Sequence, residues 1–347
     1  MKKLRFGIIG AGGIADRRTL PGMMLAKNAE IVAVMEILPD VAESLRVKYN
    51  AKYAYTTAEE VIKNPEVDAV YIASPVVFHA SQAKLAADYG KHILLEKPIA
   101  MSIEEGEEVV NYVESKGVKF AAGFMMRFGA HIMNMKKAIA DRKIGQVVNG
   151  YSQFTCWLPN SSGNWRLVKA KSGGGSLMDM GVHCIDLMEY ILDSRVVEVA
   201  SFNDTLTFDY DVEDSSTLLM KMANGVQCVV QTNFNIPDEA SKWRMEFFGT
   251  RGRLMGDNVI GQIDGGTLSG FFMDSVAGYN ATQNHDANNG ELIDAEFGNM
   301  YTREVESFAD SVLNDKPLVV PASDALHVQK VIAAAYESTE KKIIVKL

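Results

Sequence analysis

The chain has 347 residues, of which 47% are hydrophobic and 23% charged, and its formal net charge is −9. That length supports a large core and two domains of about 100–200 residues each, and the composition is that of a globular chain rather than a disordered one. The acidic balance offers no field for nucleic acid or an acidic membrane surface, and no apolar run reaches the about 18 residues that mark a membrane span.

The Met1-Lys2-Lys3 opening leads into an apolar run that breaks at Gly10 with no cleavage site after it. A first strand is expected there rather than a leader, with the cytoplasm as the compartment. Three cysteines (Cys156, Cys184 and Cys228) are odd in number and widely spaced, which fits neither a disulfide framework nor a zinc site, so no metal is expected.

Leu4-Arg5-Phe6-Gly7-Ile8-Ile9 reads as a strand, and Gly10-Ala11-Gly12-Gly13-Ile14-Ala15 follows at once as a G-x-G-x-x-A turn. Gly10 permits the tight turn, Gly12 lets the backbone approach a pyrophosphate, and Ala15 is small enough for close packing of helix on strand. The helix that opens here offers free N–H groups to phosphates, so Gly10, Gly12, Gly13 and Ile14 are candidate cofactor contacts. Glu30-Ile31-Val32-Ala33-Val34-Met35 reads as a second strand and ends in Glu36, close to the spacing of about 20 residues expected from the glycine turn. A carboxylate there accepts from both ribose hydroxyls and repels a 2′-phosphate. Ile37, Leu38 and Pro39 follow without an Arg or Lys, which favours NAD over NADP. A solvated strand-end carboxylate is the plainer reading of Glu36.

Strand and helix then alternate. Helices over 39–49, 58–63 (capped by Thr57), 77–89 and 103–116 separate strands over 68–72, 92–95 and 119–123. Such alternation predicts a doubly wound parallel sheet with right-handed crossovers. Ser74-Pro75 closes one strand and His79 opens the next helix, which makes all three candidate cofactor contacts; a helix-surface histidine is as good a reading of His79. His92-Ile93-Leu94-Leu95 ends in Glu96-Lys97-Pro98. Lys97 therefore sits at the carboxyl end of a parallel strand, where open sheets bind ligands, fixed by the proline after it. An ordinary loop lysine is the competing reading.

After Gly123 the pattern changes. Runs over 147–158, 196–208, 215–222, 226–235 and 243–248 are joined by turn residues, with Ala223-Asn224-Gly225 as a hairpin signal. They predict a largely antiparallel sheet with one face over a substrate cleft or a partner subunit. Gly173-Gly174-Gly175 leads into a helix bearing Asp179 and His183, which are four apart and so share a face. Histidine serves as acid or base near neutral pH, and a carboxylate orients it. Ser176-x-x-Asp179 also reads as a capping box, and His183 as a core histidine. Trp165-Arg166 suits stacking on, and hydrogen bonding to, a polyol; a surface pair is the alternative. Residues 256–299, rich in Gly and Asn, are expected to be loops. Helices over 303–313 and 322–341 and a short strand over 343–346 close the chain. The domains are expected at 1–123 and 124–347, the last helix being able to pack back on the first domain.

With these motifs in place, the chain resembles the Gfo/Idh/MocA oxidoreductases, the glucose–fructose oxidoreductase and inositol dehydrogenase family. The resemblance runs from the Gly10 turn through Glu96-Lys97-Pro98 to Asp179-x-x-x-His183 and the last helix. It implies an α/β Rossmann domain that binds NAD, with Glu96 and Lys97 at the cofactor. It also implies an α+β domain with a large open, mainly antiparallel sheet that commonly forms a homodimer or homotetramer contact. It further implies oxidation of a secondary hydroxyl of a sugar, sugar derivative or cyclitol, or the reverse reduction. Lys97 and His183 would assist proton transfer with Asp179 in support, and Arg127, Trp165 and Arg166 would contact substrate. Met125-Met126-Arg127-Phe128 departs from the family, which often has an Asn before its Arg pair. An NAD-dependent redox glycoside hydrolase is the alternative within the family, and a non-catalytic sensor of NAD and sugar ranks last because Lys97 and His183 are both present.

Overall fold

The structure, a computed structural model, describes residues 2–276, 278–279, 281 and 290–347. The chain divides into two compact units: Met1–Phe128 with Asn299–Gln329, and Gly129–Gly298 with Lys330–Leu347. The first 128 residues alternate as β1 (Leu4–Ile9), α1 (Leu20–Leu25), β2 (Ala29–Met35), α2 (Pro39–Lys48), β3 (Tyr53–Tyr55), α3 (Ala58–Lys63), β4 (Ala69–Ile72), α4 (His79–Asp88), β5 (His92–Leu95), α5 (Ile103–Ser115) and β6 (Phe120–Ala122). All six strands pair in parallel in the order β3-β2-β1-β4-β5-β6. The order reverses between β1 and β4, the switch point at which such sheets take ligands. Strands covered on both faces must be apolar throughout, and Ala69, Val70, Tyr71 and Ile72 of β4 are all fully buried. Thr57 and Glu60 cap α3 reciprocally, Thr57 Oγ1 accepting the Glu60 N–H and the Glu60 carboxylate accepting the Thr57 N–H.

The chain continues through α6 (Ala130–Ala140), β7 (Val147–Thr155), α7 (Lys169–Ser172), α8 (Val182–Leu192), β8 (Val196–Asp204), β9 (Ser215–Met222), β10 (Gln227–Asn233), β11 (Arg244–Gly249), β12 (Gly252–Asp257), β13 (Thr267–Phe272), β14 (Glu291–Leu292), α9 (Met300–Leu313), α10 (Ala322–Lys341) and β15 (Val345–Lys346). Among the described residues nine strands form one sheet, β14-β13-β12-β11-β7-β10-β9-β8-β15, antiparallel except for the β7–β10 pair. The 223–225 turn joins β9 to β10 as read, with Gly225 at φ +89°.

Alternation along these strands separates two faces. Val199, Leu218, Cys228, Phe247 and Leu254 point to one face and are buried. A Cβ on Gly150 of that face would meet Met188 of α8, which identifies α8 as its cover. The opposite face carries the cross-strand row Ala200, Leu219, Val229, Tyr151, Glu246 and Met255. Leu219 is 53% exposed there, and Phe202, on the same face, 73%.

Three expectations need correction. The 256–299 segment is not all loop, because β12 ends in it and β13 and β14 extend the sheet with it; its glycines hid a strand whose Gly270 lies close to Phe272. The part of that expectation at 277, 280 and 282–289 lies outside the described residues. The second domain is not the continuous segment 124–347, since the first unit runs on to Phe128 and takes back 299–329. The reason is the apolar stripe of α9, where Val305, Phe308 and Ala309 join the core of β1, β2 and β4 and the Phe308 ring lies 5.9 Å from that of Phe6. The expected helix over 77–89 opens as a 3₁₀ turn, Val76–Phe78, before α4.

Phe308 is 3% exposed. Phe308→Ala should therefore cost the first unit about 3–5 kcal/mol through lost burial and a residual cavity. Urea unfolding followed by fluorescence would measure it, and a loss below about 1 kcal/mol would show that α9 is dispensable to that core.

Candidate active site

In the first unit the glycine turn lies at the switch point. Gly10 has φ +76°, and a Cβ on it would come within 2.7 Å of the Ser74 nitrogen and 2.9 Å of Ala73 backbone atoms. Only glycine lets the loops after β1 and β4 approach so closely. Gly13, at φ +59°, is exposed with open space around its Cβ position. The Glu36 carboxylate closes over this turn: Oε1 accepts the Gly12 N–H at 2.7 Å and Oε2 the Ile37 N–H at 3.2 Å. Ile14 stands at the head of a π-helical turn, Ala15–Thr19, which feeds α1. These residues fit a dinucleotide, with an open glycine cradle at a helix start and an acid beside it for ribose.

The Glu96-Lys97-Pro98 loop follows β5, and its Lys97–Pro98 bond is cis. Glu96 turns inward, where Tyr71 O–H donates to its Oε1 at 2.5 Å and Thr19 Oγ1 lies 2.9 Å from the same phenol. Burial pushes the Glu96 carboxyl above its ordinary value while the Tyr71 bond opposes, and burial beside Glu96 pushes the Tyr71 phenol well up. Lys97 is half-buried. His79 is 2% exposed, with Nδ1 2.8 Å from Pro98 O and Nε2 2.8 Å from Ser74 O. It is packed between the loops after β5 and β4 rather than lying on a helix surface, and as a neutral ring it donates to one of the two carbonyls. Ser74 Oγ donates to Gln82 Oε1 at 2.6 Å, and Pro75 opens the 3₁₀ turn that leads to His79.

Arg127 does not reach solvent. It is 3% exposed, and its Nη1 donates to Val319 O at 2.7 Å and Asp324 Oδ2 at 2.8 Å. A buried guanidinium keeps such an ion pair because either partner alone would be a stranded charge. Arg127, expected at the substrate, here anchors the 319–324 segment through Nη1.

In the second unit Trp165, Arg166 and Asp179 form a chain. The Arg166 guanidinium lies 4.8 Å from the Trp165 ring centre, and its Nε is 3.3 Å from Asp179 Oδ2. Trp165 is 50% exposed, so this end of the constellation is open to solvent. His183 is 7% exposed. The capping reading of Ser176 and Asp179 is corrected, because Ser176 Oγ donates instead to Thr232 O at 3.0 Å. The helix also starts with a π-helical turn, Leu177–Gly181, before α8. That wider turn alters the one-face spacing read for Asp179 and His183, and such turns recur at functional sites. The Cys156 thiol is pushed up to about 12, first by burial and then by Asp179 and Asp238.

Sequence reasoning missed Tyr71, Glu213 and Tyr336. Tyr71 was the one polar tip in an otherwise apolar strand, which was a usable signal. Glu213 takes the N–H groups of Gly175 and Leu177, and Tyr336 O–H donates to it from α10. No local pattern announces a contact between residues so far apart in sequence.

The glycine turn at the switch point marks a dinucleotide-binding protein, and the family matches make the chain an NAD(P)-dependent oxidoreductase acting on CH–OH groups. The chain belongs to the GFO/IDH/MocA oxidoreductase family. Residues 4–124 match the model of the oxidoreductase family with NAD-binding Rossmann fold, and residues 132–255 match the GFO/IDH/MocA C-terminal domain. The chain is similar to 1,5-anhydro-D-fructose reductase of Ensifer adhaerens, at 29% identity over 76% of this chain and 79% of the relative. It is also similar to D-xylose 1-dehydrogenase (NADP(+)) 2 of Haloferax volcanii, at 28% identity over 99% and 100%. The crystal structure of aldose-aldose oxidoreductase from Caulobacter crescentus complexed with glycerol has the same fold, with a TM-score of 0.86 at 23% identity over 100% of both chains.

Burial holds His79, His92 and His131 below the ordinary imidazole range. A histidine depressed in the folded state stays neutral there while the unfolded chain takes up protons, so stability is full above about pH 6.5 and falls as pH drops below it. His79→Gln removes one of these titrating groups and should flatten the decline between about pH 7 and 5. Urea midpoints across that range would show it, and slopes identical to wild type would refute the burial of neutral His79.

Proposed function

We propose that the protein is an NAD-dependent dehydrogenase that oxidises a secondary hydroxyl of a sugar, sugar derivative or cyclitol, or runs the reverse reduction. The observation that carries the cofactor half of this reading is Glu36. Its carboxylate, 2.7 Å from the Gly12 nitrogen, suits a free ribose diol and repels a 2′-phosphate. The family supports hydroxyl chemistry on sugars, and the Trp165–Arg166–Asp179 chain supports a polyol: the indole for an apolar sugar face, the charged groups for hydroxyls.

NAD, which Gly10, Gly12, Gly13 and Glu36 would hold, would supply the hydride acceptor for the carbinol carbon. The remaining work falls to side chains of this protein. Lys97 donates a hydrogen bond to the reacting oxygen and stabilises its developing negative charge. His183 takes the hydroxyl proton, and Asp179 favours the imidazolium that forms. Glu96, held by Tyr71, fixes the loop that carries Lys97. We also read the exposed sheet face around Leu219 and Phe202 as a contact between copies of the chain in a homodimer or homotetramer, because a wet apolar sheet face is costly.

NADH formation against a panel of sugars and inositols, with NAD and NADP in parallel, tests the reading. Turnover is expected with NAD, and Lys97→Ala or His183→Ala should lower kcat by about 10²–10⁴-fold while leaving NAD affinity intact. Wild-type turnover in either variant removes that residue from the mechanism. Silence across the panel, with NAD retained and a glycoside cleaved without net NADH, selects the redox glycosidase instead. Leu219→Glu should lower the oligomer mass in light scattering, and an unchanged mass would exclude this face as the contact.

A further inference from the structure

The segment that carries Asp179 and His183 begins with backbone N–H groups that no helical carbonyl can reach, as every helix does. Here one carboxylate takes two of them: Glu213 Oε2 accepts the Gly175 N–H at 2.8 Å and Oε1 the Leu177 N–H at 3.0 Å. The same residue's carbonyl accepts the Ser176 N–H at 3.0 Å. Tyr336 O–H, from α10, donates to Oε1 at 2.9 Å. Glu213 is 9% exposed, so the clamp lies beneath the surface. It explains the glycine run, because a Cβ on Gly174 would collide with the Tyr336 hydroxyl and one on Gly175 with the Glu213 carbonyl. The next residue, Asp214, is fully buried and accepts the N–H groups of Leu206, Thr207 and Phe208 at 2.8, 2.8 and 3.1 Å. The loop it holds places Phe208 against Trp157, with ring centres 5.1 Å apart.

We propose that Glu213, braced by Tyr336, is a positioning residue that fixes the first turn of the Asp179–His183 helix so that both side chains are presented in one geometry. The assignment rests on the dehydrogenase reading for its consequence, not for its geometry. Both carboxylate oxygens are needed. A glutamine has one acceptor oxygen, and its amide nitrogen would face either Gly175 N–H or Leu177 N–H, donor against donor. The π-helical turn that follows has wide i→i+5 bonding, so a loosened start allows rotation of Asp179 relative to His183.

The test compares wild type, Glu213→Gln and Tyr336→Phe by steady-state kinetics and by amide hydrogen exchange. In Glu213→Gln, exchange should quicken within 174–182 and nowhere else, and kcat should fall about 10- to 100-fold, the size of loss that a misplacement of about 1 Å causes. KM for NAD should stay at the wild-type value. Tyr336→Phe keeps the ring and loses one of the bonds, so it should show the same pattern more weakly, and it serves if Glu213→Gln does not fold. Exchange at wild-type rates within 174–182 overturns the proposal whether or not a substrate is found. So does a lowered melting temperature with kcat per folded molecule unchanged, which would make Glu213 a fold residue only. A wild-type enzyme silent on every polyol would overturn the dehydrogenase reading instead, and the exchange result would still decide the clamp.

Discussion

Each unit turns on a glutamate that answers the donors of a glycine turn. In the first, Glu36 accepts the N–H of Gly12; in the second, Glu213 accepts those of Gly175 and Leu177. The constraint is general. A helix start leaves N–H groups unpaired, the dipole there is positive, and a buried unpaired donor costs about 1–3 kcal/mol. Glycine supplies the close approach in both places, and the carboxylate supplies the acceptor. Both helical segments then open with a π-helical turn, Ala15–Thr19 and Leu177–Gly181.

The two carboxylates differ in what else they can do. Glu36 lies at the exposed end of β2 and makes one bond to the turn and one to its own neighbour Ile37. Its bond to Gly12 is one that a ribose hydroxyl or phosphate can exchange for. Glu213 makes three bonds to its surroundings from a buried position. One arrangement suits an exchangeable ligand contact and the other a fixed brace.

The first unit was legible because its signals are local. A parallel sheet covered on both faces writes itself as continuous apolar runs, and the turn residues Gly10, Gly12 and Glu36 stand at fixed offsets. The large sheet was legible as strands, and its hairpin at 223–225 as a turn. What could not be read depended on distance along the chain. The return of 299–329 to the first unit rests on Phe308 meeting Phe6, 302 positions away. Glu213 lies 38 residues from Gly175 and 123 from Tyr336. Arg127 was expected at the substrate through the family resemblance alone, and its pairing with Asp324, 197 residues away, has no local signal. Strand β13 was lost for a different reason: glycine and serine in Thr267–Phe272 read as loop, whereas at Gly270 the missing side chain makes room for a neighbouring aromatic.

Tyr71 shows how a polar group inside a core can serve a residue at the surface. The fully buried phenol takes up the Glu96 carboxyl, and Thr19 completes the chain from the first helical segment. A buried carboxyl without that donor would be costly. With it, the residue before Lys97 is pinned inward, while His79 holds the residue after it through Pro98 O. The backbone of Lys97 is thereby held from both sides. For the proton-transfer role proposed for Lys97, a backbone held on both sides narrows the positions its amine can sample.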